Sequence, residues 1–230
     1  DNSLTIEQAA MSGLSIDERG GASAVLIDGL TVSGGVTVRQ GAGRQLCNVH
    51  NAAVAGTFRV LEGSTPDAST LMFVDDALGS LSIQGGNGGY AIQANGLDVD
   101  GGVSIGLGNG NSDVGIFETV RVGGRTSISV GNGNSAIGLV GSPSPTVMPR
   151  ASVFGRIGIV MGRGDTAVAL NNLSADSLSV RVGSKHAFVG IGGPIAVPVL
   201  EGDLYAFSGN TFSGGQVTVI GRVGVDRPVS

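Results

Sequence analysis

The chain has 230 residues, of which 42 are glycine and only 13% are charged, yet 41% are hydrophobic, which argues against disorder. A net charge of −5 argues against binding to nucleic acid or to anionic membranes, and no apolar run approaches the ~18 residues that cross a bilayer. Glycine does not recur at every third position, which excludes a collagen triple helix, and the single cysteine, Cys47, excludes an internal disulfide.

A nine-residue unit recurs along the chain with the pattern Gly-x-Gly-x-Ser-x-h-x-h, in which h is apolar. Its first apolar position falls at residues 25, 47, 71, 92, 114, 137, 168 and 189, at intervals of 21 to 24 residues with one of 31. The clearest copies are GNGNSDVGI from Gly108, GNGNSAIGL from Gly131 and GRGDTAVAL from Gly162. Alternation of apolar and polar residues over such short stretches predicts β-strands.

Two further short elements follow the same period. Apolar-x-apolar triplets occur at 14–16, 36–38, 58–60, 81–83, 103–105, 128–130, 178–180 and 217–219, and a third element, such as Leu30 to Val32, precedes them. Each period therefore holds three strands of about three residues, separated by Gly-rich corners. Coils of ~22 residues, stacked on one another, would place equivalent strands side by side, in parallel and ~4.8 Å apart.

These repeats predict an all-β fold, a single parallel β-solenoid (β-helix) that spans residues 1–230 in about nine to ten coils. Asn87, Asn109 and Asn132 share one position of the unit, where stacked Asn side chains can bond one another along the axis. Another shared position, expected to line a second edge, holds Ser69, Ser112, Ser135 and Thr166. The predicted core residues are Val25, Ile27, Cys47, Val49, Leu71, Phe73, Ile92, Val114, Ile116, Ile137, Leu139, Val168, Leu170, Val189 and Ile191.

The GNGNSxhxh units, alternating with GGxhxhxhG, resemble the β-strand-repeat regions of very large secreted bacterial proteins, and they are similar to the passenger domains of autotransporter adhesins. The resemblance covers most of the chain and is one of repeat style. It implies an extracellular or cell-surface stalk or adhesive segment, and it implies no catalytic residues in this chain. No cofactor is expected. The expected partners are further copies of the chain, a larger parent chain or a surface glycan.

Acidic residues after the nonapeptide strand predict an alternative function. Asp75 and Glu118 fall at the same offset two coils apart, hence roughly 10 Å from each other. Two carboxylates at about 5–10 Å can hydrolyse a glycosidic bond, and carboxylates with an arginine also suit a Ca²⁺-dependent polysaccharide lyase. The alternative is therefore a carbohydrate-binding or polysaccharide-cleaving β-helix, although charge at corners also keeps a rod soluble. Its candidate residues are Asp75, Asp76, Asp98, Asp100, Glu118 and Arg121.

The unit also resembles the calcium-binding nonapeptide of RTX proteins, in which an Asp carboxylate binds Ca²⁺ between coils. Asn111 and Asn134 occupy that position here, and only Asp165 supplies a charge. Plain Gly/Asn turns are therefore expected, with Asp165 as a weak calcium candidate.

The tripeptide Arg163-Gly164-Asp165, which integrins recognise, falls in register inside the same repeat. His50 and His186 lie in different coils and are expected at the surface, and Cys47 is expected to be a buried thiol.

Two Pro-bearing insertions interrupt the period, at about 142–152 and 192–207. Both follow the same strand of the coil, so they are expected at one corner, either as binding loops or folded down over the core. The start at Asp1 suggests a processed chain or a fragment, and neither end shows a helix or a charged cap. Either the later insertion covers one end or open ends permit copies to stack into a fibre.

Overall fold

A computed structural model describes residues 2–18, 20–64, 68–141, 152–183, 187–191, 204–205 and 211–220. Across these residues the fold is all-β, without a helix, and every strand pairing is parallel, which confirms the predicted β-solenoid. No helix that could span a membrane occurs in these ranges.

The strands, in chain order, are β1 (Asn2–Glu7), β2 (Ala10–Met11), β3 (Leu14–Glu18), β4 (Ser23–Asp28), β5 (Thr31–Val32), β6 (Val36–Gln40), β7 (Gln45–His50), β8 (Ala53–Glu62), β9 (Ser69–Val74), β10 (Ala77–Gly85), β11 (Tyr90–Asn95), β12 (Asp98–Val99), β13 (Val103–Leu107), β14 (Ser112–Phe117), β15 (Arg121–Val122), β16 (Thr126–Val130), β17 (Ser135–Val140), β18 (Ser152–Met161), β19 (Thr166–Asn171), β20 (Leu173–Val182), β21 (Ala187–Ile191), β22 (Leu204–Tyr205) and β23 (Thr211–Ile220).

Two sheets enclose the core. The first sheet stacks ten strands in the order β1, β4, β7, β9, β11, β14, β17, β19, β21 and β22, and the remaining strands form the second sheet. The second and third strands predicted for each coil lie in that one sheet, and in β8, β10, β18 and β20 they run together as a single strand of nine or ten residues. The described strands form about eight stacked coils, against the nine or ten predicted for the whole chain, and β21, β22 and β23 extend the stack.

Alternate residues of each strand face a core that runs the length of the solenoid. Val25, for example, lies in register between Leu4 and Cys47 of the neighbouring coils. Fourteen of the fifteen predicted core residues are buried, and the side chain of the fifteenth, Ile191, lies outside the described set. The Phe58 and Phe73 rings join the two sheets in an edge-to-face contact with centroids 5.6 Å apart.

The corner between β5 and β6, and its equivalents in later coils, requires glycine. A Cβ atom on Gly56 would lie 2.7 Å from the carbonyl oxygen of Gly34, and one on Gly101 would lie 2.6 Å from that of Gly79. The same glycines carry the hydrogen bonds between coils, since Gly56 N donates to Gly34 O and Gly101 N donates to Gly79 O. Glycine repeats here because successive backbones approach too closely for a side chain.

The predicted asparagine stack is present, with bonds of a different kind. Asn109 N donates to Asn87 Oδ1 and Asn132 N donates to Asn109 Oδ1, each over 2.9 Å. The side-chain oxygen therefore binds the backbone amide of the next coil instead of the next side chain. This arrangement follows because corner amides lie outside the sheets and need another acceptor. A second ladder links Asn111 to Asn134 over 2.9 Å.

The predicted insertions fall largely on residues 142–151 and 192–203, outside the described residues. Ser152 already belongs to β18, and Leu204 and Tyr205 form β22, which pairs with Val189 and Gly190 of β21. Part of the later insertion is therefore a strand of the first sheet. The strands that precede the two insertions, β17 and β21, both belong to that sheet.

Candidate functional site

An open groove of about 380 Å³ lies on the outer face of the second sheet. One row of its floor carries one residue from each of five successive strands, β5, β8, β10, β12 and β15, in continuous register. These residues are Thr31, Ala53, Ala77, Asp98 and Arg121. A parallel row consists of Ser33, Ala55, Gly79 and Asp100. We call this feature the second-sheet groove.

The strand pleat and the residue sizes together explain the groove. Val54 and Leu78 face the core, so their neighbours Ala53 and Ala77 must face solvent, and both are exposed. Small side chains at the middle coils leave the depression, whereas hydroxyl groups lie at one end and charged groups at the other. The groove is thus apolar along its centre and polar at both ends.

The charged end is a three-residue cluster. Arg121 Nη2 donates to Asp98 Oδ1 over 2.7 Å and to Asp100 Oδ1 over 2.6 Å. Hydrogen bonds to Asp100 and then to Asp98 raise the pKa of Arg121 above its usual range. All three side chains are at least half exposed to solvent. Such exposed pairs add little to stability, but they fix the orientation of the guanidinium group.

The other sequence candidates lie elsewhere. Asp75 and Glu118 occupy the corner that follows the first sheet, and their φ angles are positive, at 55° and 67°. Gly96, at the same corner of the coil between them, has a φ angle of 64°. They therefore share one column two coils apart, as predicted. The same column holds Gln8, Gly29, Asn51 and Asn172, all with positive φ. Its common feature is the left-handed backbone, which Asn, Asp and Gly adopt most readily.

Asp76 points into the core, although it follows the exposed Asp75. Its side chain is 1% exposed, and Asp76 Oδ1 accepts a hydrogen bond from Ala52 N over 2.8 Å. Burial raises the pKa of Asp76 to about 7, partly offset by backbone hydrogen bonds from Ala52 and Val74. The predicted acidic corner is thus divided among three environments: the groove, the left-handed corner and the core.

Glu62 is a buried carboxyl that the sequence analysis missed. It ends β8 with 7% exposure, neither of its carboxyl oxygens has a hydrogen-bond partner among the described residues, and burial raises its pKa to about 7. The residue could have been found from strand parity, because Phe58, Val60 and Glu62 alternate on the inward face. Cys47 is buried as predicted, and its pKa is raised first by burial and then by Glu62 and Asp76.

A polar seam lines the inside of the asparagine corner. Gln40 Nε2 donates to Ser23 Oγ over 3.0 Å, and Gln45 Nε2 donates to the carbonyl oxygens of Gly21 and Gly43 over 3.1 and 3.2 Å. The predicted row of Ser69, Ser112, Ser135 and Thr166 belongs to this seam and is buried. In that row Ser135 Oγ donates to Gly110 O over 3.5 Å, whereas the hydroxyl oxygens of the other three residues have no hydrogen-bond partner among the described residues. The row is enclosed, so it does not form a surface edge.

Asp165 and its neighbours form a rung of the asparagine ladders. Arg163 N donates to Asn132 Oδ1 over 2.8 Å and Asp165 N donates to Asn134 Oδ1 over 3.0 Å. No group of three potential metal ligands from His, Cys, Asp and Glu occurs within the described ranges. His50 is half-buried in β7, and His186 lies outside the described residues.

No protein-family model, curated protein or solved structure matches the chain.

Proposed function

We propose that this chain is a non-catalytic structural or adhesive segment of a secreted or cell-surface bacterial protein. The observation that carries the proposal is the coil-by-coil repetition of one inward pattern, from Val25 to Val189. Eight stacked coils make a stiff rod of roughly 40 Å, with two broad outer faces. The repeat style shared with secreted strand-repeat proteins and autotransporter adhesins supports the same function.

The placement of Asp76, Asp98 and Asp100 favours this function over polysaccharide cleavage. A glycosidase needs two carboxyl groups on either side of one bond, one of them able to donate a proton. Asp98 and Asp100 both accept from the same Arg121 nitrogen, so the guanidinium fills the space between them. Asp76 is enclosed in the core, and Asp75 and Glu118 lie in the left-handed corner column.

The test combines shape, adhesion and catalysis. Negative-stain images and small-angle scattering are expected to give rods, and beads coated with the chain are expected to adhere to polysaccharide-coated surfaces or to assemble with one another. Polysaccharides incubated with the chain, with and without Ca²⁺, are expected to yield no new reducing ends and no unsaturated products. Cleavage that is lost in Asp98→Asn or Glu118→Gln would instead establish the enzyme alternative.

A further inference from the structure

The second-sheet groove runs along the rod axis. Its first row joins Thr31 in β5 to Arg121 in β15 through four strand spacings, a length of roughly 19 Å. Ala53 and Ala77 form the exposed centre of that row, beside Ala55 and Gly79 of the second row. A channel of this shape accommodates an extended chain with apolar faces better than a compact molecule.

The charged end of the groove alternates hydrogen-bond acceptors and donors. Arg121 Nη2 donates to Oδ1 of Asp98 and to Oδ1 of Asp100, and both carboxylates are more than half exposed to solvent. The guanidinium group carries five N–H donors in total, so several remain for a ligand. Adjacent sugar hydroxyl groups match this array, since each can donate to a carboxylate and accept from the guanidinium.

The charge of this end narrows the ligand class. Two carboxylates and one guanidinium leave a net charge of −1 beside the groove. An anionic glycan would meet two like charges, which disfavours its binding. A free cation would have to compete with Arg121, which already bonds both carboxylates. A neutral molecule rich in hydroxyl groups is not repelled by the carboxylates, and it does not have to displace Arg121 from them.

We propose that the second-sheet groove binds a neutral glycan chain lying along the solenoid axis. Sugar rings pack on the Ala53 and Ala77 floor, while adjacent hydroxyl groups bond to Asp98, Asp100 and Arg121. Thr31 and Ser33 supply hydroxyl groups at the opposite end. The inference rests on the proposed adhesive function and names the ligand class for it.

Binding is tested with fluorescein-labelled hexasaccharides in solution, followed by fluorescence anisotropy. The neutral probes are cellohexaose, maltohexaose, chitohexaose and mannohexaose, and hexagalacturonate is the acidic comparison. At least one neutral probe is expected to bind, and hexagalacturonate is expected to bind about tenfold more weakly or not at all. Arg121→Leu and the double variant Asp98→Asn/Asp100→Asn are each expected to weaken binding about tenfold, through lost charge-assisted hydrogen bonds.

Matched variants separate the groove from the rest of the rod. Ala77→Phe fills the floor and is expected to abolish binding, whereas Ala136→Phe adds the same ring to an exposed position on the first sheet and leaves binding unchanged. Asp113→Asn, also exposed on the first sheet, controls for the loss of a carboxylate. Circular dichroism and thermal melting verify that each variant keeps the fold.

The outcomes distinguish this inference from the proposed function. Failure of every neutral probe to bind, or binding unaffected by Ala77→Phe and Arg121→Leu, overturns the groove assignment. Adhesive rods that retain adhesion in those variants uphold the proposed function while overturning the groove. Groove-dependent binding accompanied by hydrolysis of the probe supports the groove and overturns the non-catalytic function.

Discussion

Glu62 and Asp76 are carboxyl groups enclosed in an otherwise apolar core, with 7% and 1% of their surfaces exposed. Charged carboxylates lose their hydration in such a place, so the folded chain favours the protonated forms. Burial raises both pKa values to about 7. Cys47 lies close enough for both carboxylates to raise the pKa of its thiol. Two coils therefore contain groups whose charge depends on pH near neutrality.

The Glu62 carboxyl makes stability depend on pH in a definite direction. Its ordinary pKa is 4.5, so between pH 4.5 and about 7 the folded chain holds a proton that the unfolded chain releases. The stabilisation is complete below pH 4.5 and is lost as pH rises to about 7, a change of about 3 kcal/mol. Glu62→Gln is expected to unfold at higher urea concentration than the wild type at pH 8, and at a similar concentration at pH 4.5.

Asp113→Asn serves as the control for this measurement, because it removes an exposed carboxylate from the outer face of the first sheet. Its urea midpoint is expected to follow that of the wild type at both pH values. A Glu62→Gln variant that is less stable than the wild type at pH 8 would show that the carboxylate is charged and stabilising inside the core.

Among the repeated elements, the asparagine ladder joins coils outside the two sheets. Asn109 accepts from Asn132 N through its side chain and donates to Asn87 Oδ1 through its backbone. Asn109→Ala removes one acceptor at an exposed corner, where water replaces part of the bond, so a loss of about 1 kcal/mol or less is expected in urea unfolding. Arg163→Ala is the matched control, since Arg163 shares the ladder position and donates through its backbone alone. Equal losses in the two variants would contradict this account.

Substitutions at the glycine corners are expected to destabilise the fold more than substitution of a ladder asparagine. Gly101→Ala places a Cβ atom 2.6 Å from the carbonyl oxygen of Gly79, a backbone atom that cannot turn aside. A loss of about 1–3 kcal/mol is expected from this overpacking. Gly106→Ala is the control, because nothing lies within 4 Å of a Cβ atom there. Thermal melting is expected to show a lower midpoint for Gly101→Ala only. A matching drop for Gly106→Ala would contradict the steric explanation.

The sequence was sufficient to predict the period, the parallel stacking and the inward rows, because each depends on alternation within a strand. It failed where alternation is interrupted. Phe73 faces inward, so simple parity places Asp75 inside and Asp76 outside, but the left-handed Asp75 turns the chain and reverses the two. The sequence already grouped Asp98, Asp100 and Arg121 with the other acidic candidates. Their separation from that group, and their place at the end of the groove, depend on which residues of separate coils share a register, and this was visible only in the structure.

At the scale of the whole molecule, the proposed fibre depends on the first coil. Among the described residues β1 pairs with β4 alone, and its inward side chains, Leu4 and Ile6, are half-buried. A strand edge without a partner among the described residues, beside half-buried apolar side chains, favours the addition of another parallel strand. We therefore expect uniform filaments to appear as the wild-type concentration rises, measured by light scattering after size exclusion and by negative-stain imaging.

Two lysine variants of β1 locate the contact. Ile6→Lys places a charge on the half-buried inward face and is expected to keep the chain monomeric, because a stacked copy would bury that charge. Thr5→Lys adds the same charge to an exposed position of the same strand and is expected to retain filaments, since its side chain faces solvent in either state. Filaments that persist in Ile6→Lys would place the contact elsewhere on the rod. A wild type that stays monomeric at every concentration would contradict end-to-end stacking and would leave the outer faces of the rod as its binding surfaces.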